Sequence, residues 1–162
     1  MYNNFCTQLN KAVEFVLAVF MFGMLVAIFC QVAFRFVLHM PLAWTEESSR
    51  YLMIYVVYLG ASVGLYRGTH LGFSFILERV NKRLVTLMSL FTFSGMLAFC
   101  IYLIYYGLII VTRNTYQVTP ALQIPMWCVY AVLPLSGTLC AIQVINILHR
   151  LAADLKNLNN RP

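Results

Sequence analysis

The sequence predicts an all-α integral membrane protein with four transmembrane helices and an amphipathic in-plane helix between the second and third. Hydrophobic residues make up 62% of the 162-residue chain and charged residues 10%, whereas a soluble domain carries roughly a quarter charged residues. The mean hydropathy is +0.80. The charges also stand between long apolar segments, as in a multi-pass membrane protein. We therefore expect a single membrane domain over residues 1–162.

The four predicted spans follow from where charged residues stop and resume along the chain. Uncharged runs extend over residues 15–34 (20 residues), 51–66 (16 residues) and 84–112 (29 residues). About 20 helical residues cross a hydrocarbon core of about 30 Å, so the shortest run must extend backward over charges that lie in the headgroup layer. With a fourth apolar segment, the spans are predicted at about 12–35, 42–66, 84–112 and 126–148.

The loop between the second and third predicted spans has its own helical periodicity. Apolar residues recur there at helical spacing, opposite a charged face. The apolar positions are Phe73, Ile76, Leu77, Val80 and Leu84, and the charged ones are Glu78, Arg79, Lys82 and Arg83. This pattern predicts an in-plane helix over about 71–82 in the membrane interface. An inward extension of the third span is the alternative.

The basic residues indicate orientation rather than a nucleic-acid partner. The net charge is +6, but the Lys and Arg residues stand singly or in pairs and form no continuous stripe. Eight of them flank the spans on one side and three on the other. Because excess positive charge stays in the cytoplasm, we expect both termini to be cytoplasmic and the partner at this level to be membrane lipid.

The predicted spans lack the groups that enzymatic, redox or autonomous transport chemistry needs. No acid, base or histidine is central in any span, and a polar solute needs such groups near the bilayer midplane. Hydroxyl groups in apolar helices usually bond back to their own helix. The three histidines stand at span ends, and the five cysteines form no C-x-x-C pair. We expect no enzyme activity and no catalytic, cofactor or metal site in this chain.

The segment PLAWTEESSR at residues 41–50 places two acids and an arginine directly before an apolar run. Glu46 and Arg50 are four residues apart, the favourable order for an ion pair on a helix, and Glu47 is also within reach of Arg50. Trp44 suits the headgroup layer. Whether this cluster is a solvated ion pair or contacts a partner subunit stays open from the residues alone.

Small residues and a proline predict local features of helix packing. Gly23 with Ala27, and Gly60 with Gly64, stand four residues apart and would allow a neighbouring helix to approach closely, although glycine is also common in membrane helices without such a role. Pro134 should kink the fourth span because proline removes one backbone hydrogen bond.

Three segments resemble a known family, the small permease subunit of tripartite ATP-independent periplasmic (TRAP) transporters, of the DctQ type. They are QVAFRFVLHMPLAWTEESSRYL (31–52), YLGASVGLYRGTHLGFSFI (58–76) and TPALQIPMWCVYAVLPL (119–135). In order, they are similar to the family's arginine after the first span, its W-x-E-E-x-x-R element, its L-G-A followed by R-x-x-H, and its P-A-L-x-I-P segment. Ser48 and Ser49 depart mildly from the family pattern.

The resemblance implies a supporting role in a bacterial inner membrane. In such systems a periplasmic substrate-binding protein delivers a carboxylate-bearing solute, such as a sugar acid, sialic acid or dicarboxylate, to a large permease subunit. That large subunit binds sodium ions, and the small subunit packs beside it. The positions that match the family become candidates for the subunit interface or the local fold; they are Arg35, Trp44, Glu46, Glu47, Arg50, Gly60, Arg67 and His70.

A second hypothesis is a self-sufficient four-span cation or multidrug transporter that acts as a homodimer around a membrane acid. Glu14 is the candidate acid. It precedes the uncharged run of the first span, and Lys11 stands three residues away, as in an interfacial ion pair.

Overall fold

Helices form nearly all of the regular structure in the described part of the chain. The computed structural model describes residues 2–37, 39–40, 42–67 and 82–159. Its helices are α1 (Tyr2–Val37), α2 (Ala43–Tyr66), α3 (Lys82–Arg113), α4 (Met126–Tyr130) and α5 (Val132–Asn159). The all-α class is confirmed for these residues. His70 and the in-plane helix predicted over about 71–82 lie outside the described residues, except for Lys82, which begins α3.

Within the described residues, three segments are long and apolar enough to cross a membrane, namely Thr7–Val37, Leu84–Arg113 and Met126–Ala152. Such segments form helices because hydrocarbon offers backbone groups no hydrogen-bond partner and a helix satisfies them internally. The 24-residue α2 is not among these candidate spans, and its N-terminal part, AWTEESSR, holds three charged residues. The chain is therefore membrane-embedded, and α2 as a fourth span stays a prediction.

A short connection folds α2 back along α1. The amide of Met40 donates to the carbonyl of Phe34 over 3.3 Å and closes the end of α1. His39 has a φ of 53°, in the left-handed region that histidine adopts more readily than most residues. At the start of α2, the buried Thr45 donates its hydroxyl to the carbonyl of Leu42 over 2.7 Å. These local bonds place the two helices side by side and antiparallel.

The long helices form an open row rather than a closed bundle. α1 packs on α2, α2 packs on α5, and α5 packs on α3, with no extensive contact between α1 and α3 among the described residues. The buried centre lies between α2, α3 and α5, around Leu65, Phe93 and Val144. Only 6% of the α1 span and 11% of the α3 span are buried, against 33% of the last span. α1 and α3 are therefore the two edges of the row.

Glycines allow a close approach between α3 and α5. A Cβ atom on Gly107 would lie 2.9 Å from Cδ of Pro134 and 3.0 Å from its nitrogen, and one on Gly137 would lie 2.9 Å from Cγ1 of Ile104. At Gly60 the nearest atom would be 4.0 Å away, on a leucine side chain. Of the glycines that the sequence singled out, Gly23 would be in ordinary contact at 3.6 Å and Gly60 has more room, whereas the tight positions are Gly107 and Gly137.

The last span is interrupted near Pro134, the residue at which the sequence predicts a kink. α4 ends at Tyr130, Ala131 forms a turn, and α5 begins at Val132. Pro134 has no N–H to donate to the carbonyl four residues earlier and its ring crowds that carbonyl. The ladder resumes with the amide of Leu135, which donates to Ala131 over 3.3 Å.

Candidate functional site

The two acids at the start of α2 have separate partners. Glu46 accepts a hydrogen bond from Nη2 of Arg50 at 2.9 Å, and the side chains are 61% and 64% exposed. An exposed pair at this spacing contributes about 0.3–0.5 kcal/mol. The predicted ion pair between Glu46 and Arg50 is therefore present. Because both side chains are largely exposed, it stabilises the helix only weakly.

Glu47 turns away from Arg50 and holds the loop that precedes the last span. Its Oε2 accepts hydrogen bonds from the amides of Ala121, at 2.8 Å, and Leu122, at 2.9 Å. Its Oε1 accepts one from the hydroxyl of Tyr51 at 2.7 Å. A carboxylate that accepts several N–H and O–H donors makes short, charge-assisted bonds. Glu47 therefore ties the start of α2 to a segment more than seventy residues later in the chain.

The loop is shaped so that these two amides point outward. Thr119, which is fully buried, donates its amide to the carbonyl of Ile124 at 2.9 Å and accepts that residue's amide on Oγ1 at 3.1 Å. Gln123, at a φ of 53°, donates to the carbonyl of Thr119 over 3.1 Å. An isolated antiparallel β-bridge between Val118 and Pro125 closes the base of the loop. This internal bonding leaves the amides of residues 121 and 122 to Glu47.

A second tyrosine continues the attachment one turn further along α2. The hydroxyl of Tyr55 donates to the carbonyl of Cys128 in α4, and its ring meets Phe20 of α1 edge to face, with centroids 5.5 Å apart. Beside these contacts lies an open recess of about 350 Å³. It is lined by Phe20, Ser48, Tyr51, Leu52, Tyr55, Leu122, Ile124, Cys128 and Val129. Its walls are almost entirely apolar, and the hydroxyls of Ser48, Tyr51 and Tyr55 are bonded to other groups of the chain. The described lining of the recess therefore shows no cluster of polar groups aimed at an ion.

The opposite end of α2 is joined to α1 by a different ion pair. Arg67 donates from Nε at 3.0 Å and from Nη2 at 2.8 Å to Oε1 of Glu14. Nearby, the hydroxyls of Tyr66 and Thr7 are 3.1 Å apart. Glu14 is therefore engaged by Arg67, whereas the sequence paired it with Lys11.

The predicted site residues do not form a single site. Glu46, Glu47 and Arg50 lie at one end of α2, and Arg67 lies at the other, about 30 Å away at 1.5 Å per residue. Gly60 lies between them.

The remaining predicted residues are peripheral in the described part. Arg35 is exposed in the last turn of α1 with no ion pair to a described residue, and Trp44 is 48% exposed. The contacts made by Tyr51, by Tyr55 and by the loop amides were not predicted from the sequence. Only the contact between Glu47 and Tyr51 had a signal there, because residues four apart are neighbours on a helix surface.

No group of three or more metal-ligating side chains occurs within the described residues. The described cysteines, Cys30, Cys100, Cys128 and Cys140, are free thiols, and Cys100 is buried.

Comparison with known proteins identifies the family. Residues 24–154 match the family model described as tripartite ATP-independent periplasmic transporters, DctQ component. The chain belongs to this DctQ family. The match includes the W-x-E-E-x-x-R element and the loop that Glu47 holds, so the described contacts lie within the family region.

Three relatives illustrate the range of lengths among similar proteins. The sialic acid TRAP transporter permease protein SiaT of Haemophilus influenzae (strain 86-028NP) is 29% identical over 142 residues, which are 85% of this chain and 22% of SiaT. The isethionate TRAP transporter permease protein DctMQ of Oleidesulfovibrio alaskensis is 30% identical over 134 residues, 76% of this chain and 21% of that protein. The ectoine TRAP transporter small permease protein TeaB of Halomonas elongata is 27% identical over 159 residues, 96% of this chain and 78% of TeaB. The chain thus spans about a fifth of the length of the first two relatives.

Proposed function

We propose that this chain is the small membrane subunit of a TRAP transporter and fixes the position of a large permease subunit in the bacterial inner membrane. The large subunit would bind sodium ions and import an organic acid that a periplasmic binding protein delivers. Membership of the DctQ family supports the transporter role. The relatives SiaT and DctMQ are permeases about five times as long as the matched region, so a separate small chain fits beside a larger partner.

The internal polar groups favour a supporting role over an independent route for solute. Four hydroxyls of α2, α3 and α5 donate to carbonyls of their own helix, which is the behaviour expected of hydroxyls in apolar helices. They are Ser62, Thr92, Ser136 and Thr138, bonded to Leu59, Met88, Leu133 and Leu135. These hydroxyls have their protons engaged within their own helices, as is common for structural hydroxyls in apolar helices. In the described helices, Gln143 has a buried Nε2 without a hydrogen-bond partner, and one amide does not make a pathway.

The contacts of α2 support its assignment as the fourth span. At one end the short turn at His39 joins it to α1, and at the other Arg67 bonds Glu14. Because α2 runs beside a membrane-capable helix from end to end, it covers a similar depth. Its 24 residues give about 36 Å of helix, enough for the hydrocarbon core. The acids at its start would then lie in the headgroup layer.

Topology can be tested with reporter fusions. A fluorescent reporter that folds in the cytoplasm should be active at both termini, and a periplasmic phosphatase reporter should be active after Met40 and after Tyr116. An active phosphatase at either terminus would reverse the orientation, and three spans would place the termini on opposite sides.

The homodimeric transporter is disfavoured by the contacts of its candidate acid. Glu14 is held at 2.8 Å by Arg67 within the same chain, near the end of α2, rather than standing unpaired at the midplane. Glu14→Gln should therefore leave cation efflux from cells that express the chain unchanged. Loss of an efflux activity in this variant would favour the second hypothesis.

The decisive experiment reconstitutes uptake from separate components. Proteoliposomes with the co-expressed large permease, this chain and the binding protein should accumulate organic acid under an inward sodium gradient. Vesicles that lack this chain should lose uptake, and vesicles with this chain alone should take up nothing. Full uptake by this chain alone, or uptake that does not depend on it, would overturn the proposed function.

A further inference from the structure

α3 carries an exposed seam of unusual composition along the edge of the helix row. Phe91, Gly95, Ala98, Tyr102 and Tyr105, here called the α3 seam, follow one another at steps of four and three residues and so share one side of the helix. Phe91 is 84% exposed, Tyr102 is 58% exposed and Tyr105 is 62% exposed. A Cβ atom on Gly95 would have no neighbour within 4 Å. The described residues leave this seam uncovered.

The centre of the α3 seam must lie within the hydrocarbon core. The uncharged run over 84–112 has 29 residues, and about 20 of them fill the core. Every choice of twenty consecutive residues from this run contains Gly95, Ala98 and Tyr102. The tilt and depth of the helix therefore do not change the conclusion for these three residues.

The phenol of Tyr102 has no suitable partner at that depth. Among the described residues none forms a hydrogen bond with the hydroxyl of Tyr102 or Tyr105, whose recorded contacts are ring contacts with Tyr106. Aromatic side chains on a helix point back toward its N-terminus, so Tyr102 is directed along the core and away from the nearer helix end at Arg113. A buried hydroxyl without a partner is costly in an apolar medium, and acyl chains cannot supply one.

The other edge of the row provides the contrast. α1 exposes Phe15, Phe22, Phe29 and Phe36, every seventh residue, at 72%, 71%, 75% and 71%. Between them stand Val19 and Val26, also exposed. This face has bulky apolar side chains without hydroxyls or glycine, which suits contact with acyl chains. The α3 seam instead has small residues in its middle, with Phe91 on one side of them and two tyrosines on the other.

We propose that the α3 seam is the surface on which a transmembrane helix of the large permease subunit packs. This inference rests on the proposed function and assigns its interface. Gly95 and Ala98 let the partner backbone approach closely, as small residues do in membrane helix pairs. The hydroxyls of Tyr102 and Tyr105 then donate to polar groups of that helix. The four and three spacing fits left-handed packing, the common geometry between membrane helices.

Photocross-linking in native membranes tests the assignment. The photoreactive residue p-benzoylphenylalanine replaces Tyr102 in one variant and Phe22 of α1 in the matched control, with the large permease co-expressed. Illumination should join the Tyr102 variant to the large permease and leave the Phe22 variant without that product. A product at twice the mass of this chain from Tyr102, or no protein product from Tyr102, would overturn the proposal.

A substitution pair gives an independent measurement. Ala98→Trp fills the middle of the α3 seam, and Val26→Trp adds the same bulk to the exposed face of α1. Overpacking should weaken co-purification of the large permease by about tenfold or more for Ala98→Trp and leave Val26→Trp at the wild-type level. Equal co-purification of both variants would contradict the seam while the proposed function stands. A wild-type chain that neither co-purifies with the large permease nor supports uptake would refute the proposed function itself.

Discussion

The crossing of α3 and α5 at Gly107 allows a quantitative prediction for Gly107→Ala. The added Cβ would stand 2.9 Å from Cδ of Pro134, 3.0 Å from the proline nitrogen and 3.1 Å from Cβ of Leu133. Ordinary contacts begin at about 3.4 Å, and neither a proline ring nor a backbone atom can rotate away, so the helices must separate. Overpacking of this kind costs about 1–3 kcal/mol, and about 2–4 °C of melting temperature accompanies each kcal/mol in a chain of this size.

Two further glycines allow the stability effects of Gly→Ala substitutions to be ranked. Gly137→Ala meets two side-chain atoms, Cγ1 of Ile104 at 2.9 Å and Cδ2 of Leu103 at 3.1 Å, and its nearest backbone atom is a carbonyl oxygen at 3.4 Å. Its cost should be smaller because no backbone atom or proline ring lies closer than that. Gly95→Ala lies on the same helix as Gly107 with nothing within 4 Å and should gain about 0.5–1 kcal/mol from reduced chain entropy.

The assay is thermal unfolding in detergent with a thiol-reactive dye, which reports unfolding because Cys100 is 3% exposed in the folded chain. We expect the melting temperature to rise in the order Gly107→Ala, Gly137→Ala, wild type, Gly95→Ala. A Gly107→Ala protein that melts at or above the wild-type temperature would show that α3 and α5 do not cross closely at this position.

The remaining predictions concern the two ends of α2. Glu47→Gln should loosen the loop, because the charge that holds two amides is lost, and should raise the rate at which a cysteine placed at Ala121 is labelled; Glu46→Gln is the matched control and should leave that rate unchanged. Equal labelling rates in both variants would show that Glu47 does not hold the loop. At the other end, a double-mutant cycle of Glu14→Gln and Arg67→Gln should give a coupling of about 0.2–1 kcal/mol, as for exposed pairs, and the coupling should shrink in high salt. A coupling of zero in low salt would show that the pair contributes nothing in solution.

The candidate site was predictable where it depends on neighbours along one helix. The pair of Glu46 and Arg50 follows from four-residue spacing on a helix and is present at 2.9 Å. The partners of Glu47 were not predictable in the same way, because two of them are backbone amides more than seventy residues away. Backbone amides carry no residue signature, so the sequence pointed to Arg50 instead. The segment PALQIP resembles a segment of the DctQ family. Its structural role is visible only in the fold, where its amides at Ala121 and Leu122 donate to Glu47.

Helix packing likewise could be predicted only in part from the sequence. A glycine is visible in the sequence, but whether it allows close approach depends on what stands opposite. Gly60 has a clearance of 4.0 Å to a leucine, while Gly107 faces the ring of Pro134 at 2.9 Å. The two glycines differ only through the pairing of helices, and that pairing joins residues distant in the chain. Glu14 illustrates it as well, since its neighbour Lys11 is close in sequence but its partner in the fold is Arg67.

Composition and periodicity by themselves determined that this chain is helical and membrane-embedded, because an apolar run in hydrocarbon must satisfy its own backbone. The resemblance to the DctQ family rests instead on local sequence motifs, which can be seen without the fold. Only the tertiary structure decided that the helices form an open row, that Glu47 holds the loop before the last span, and that α3 presents tyrosines on an uncovered edge. These features depend on which faces meet, and a pattern along one helix does not specify its neighbour.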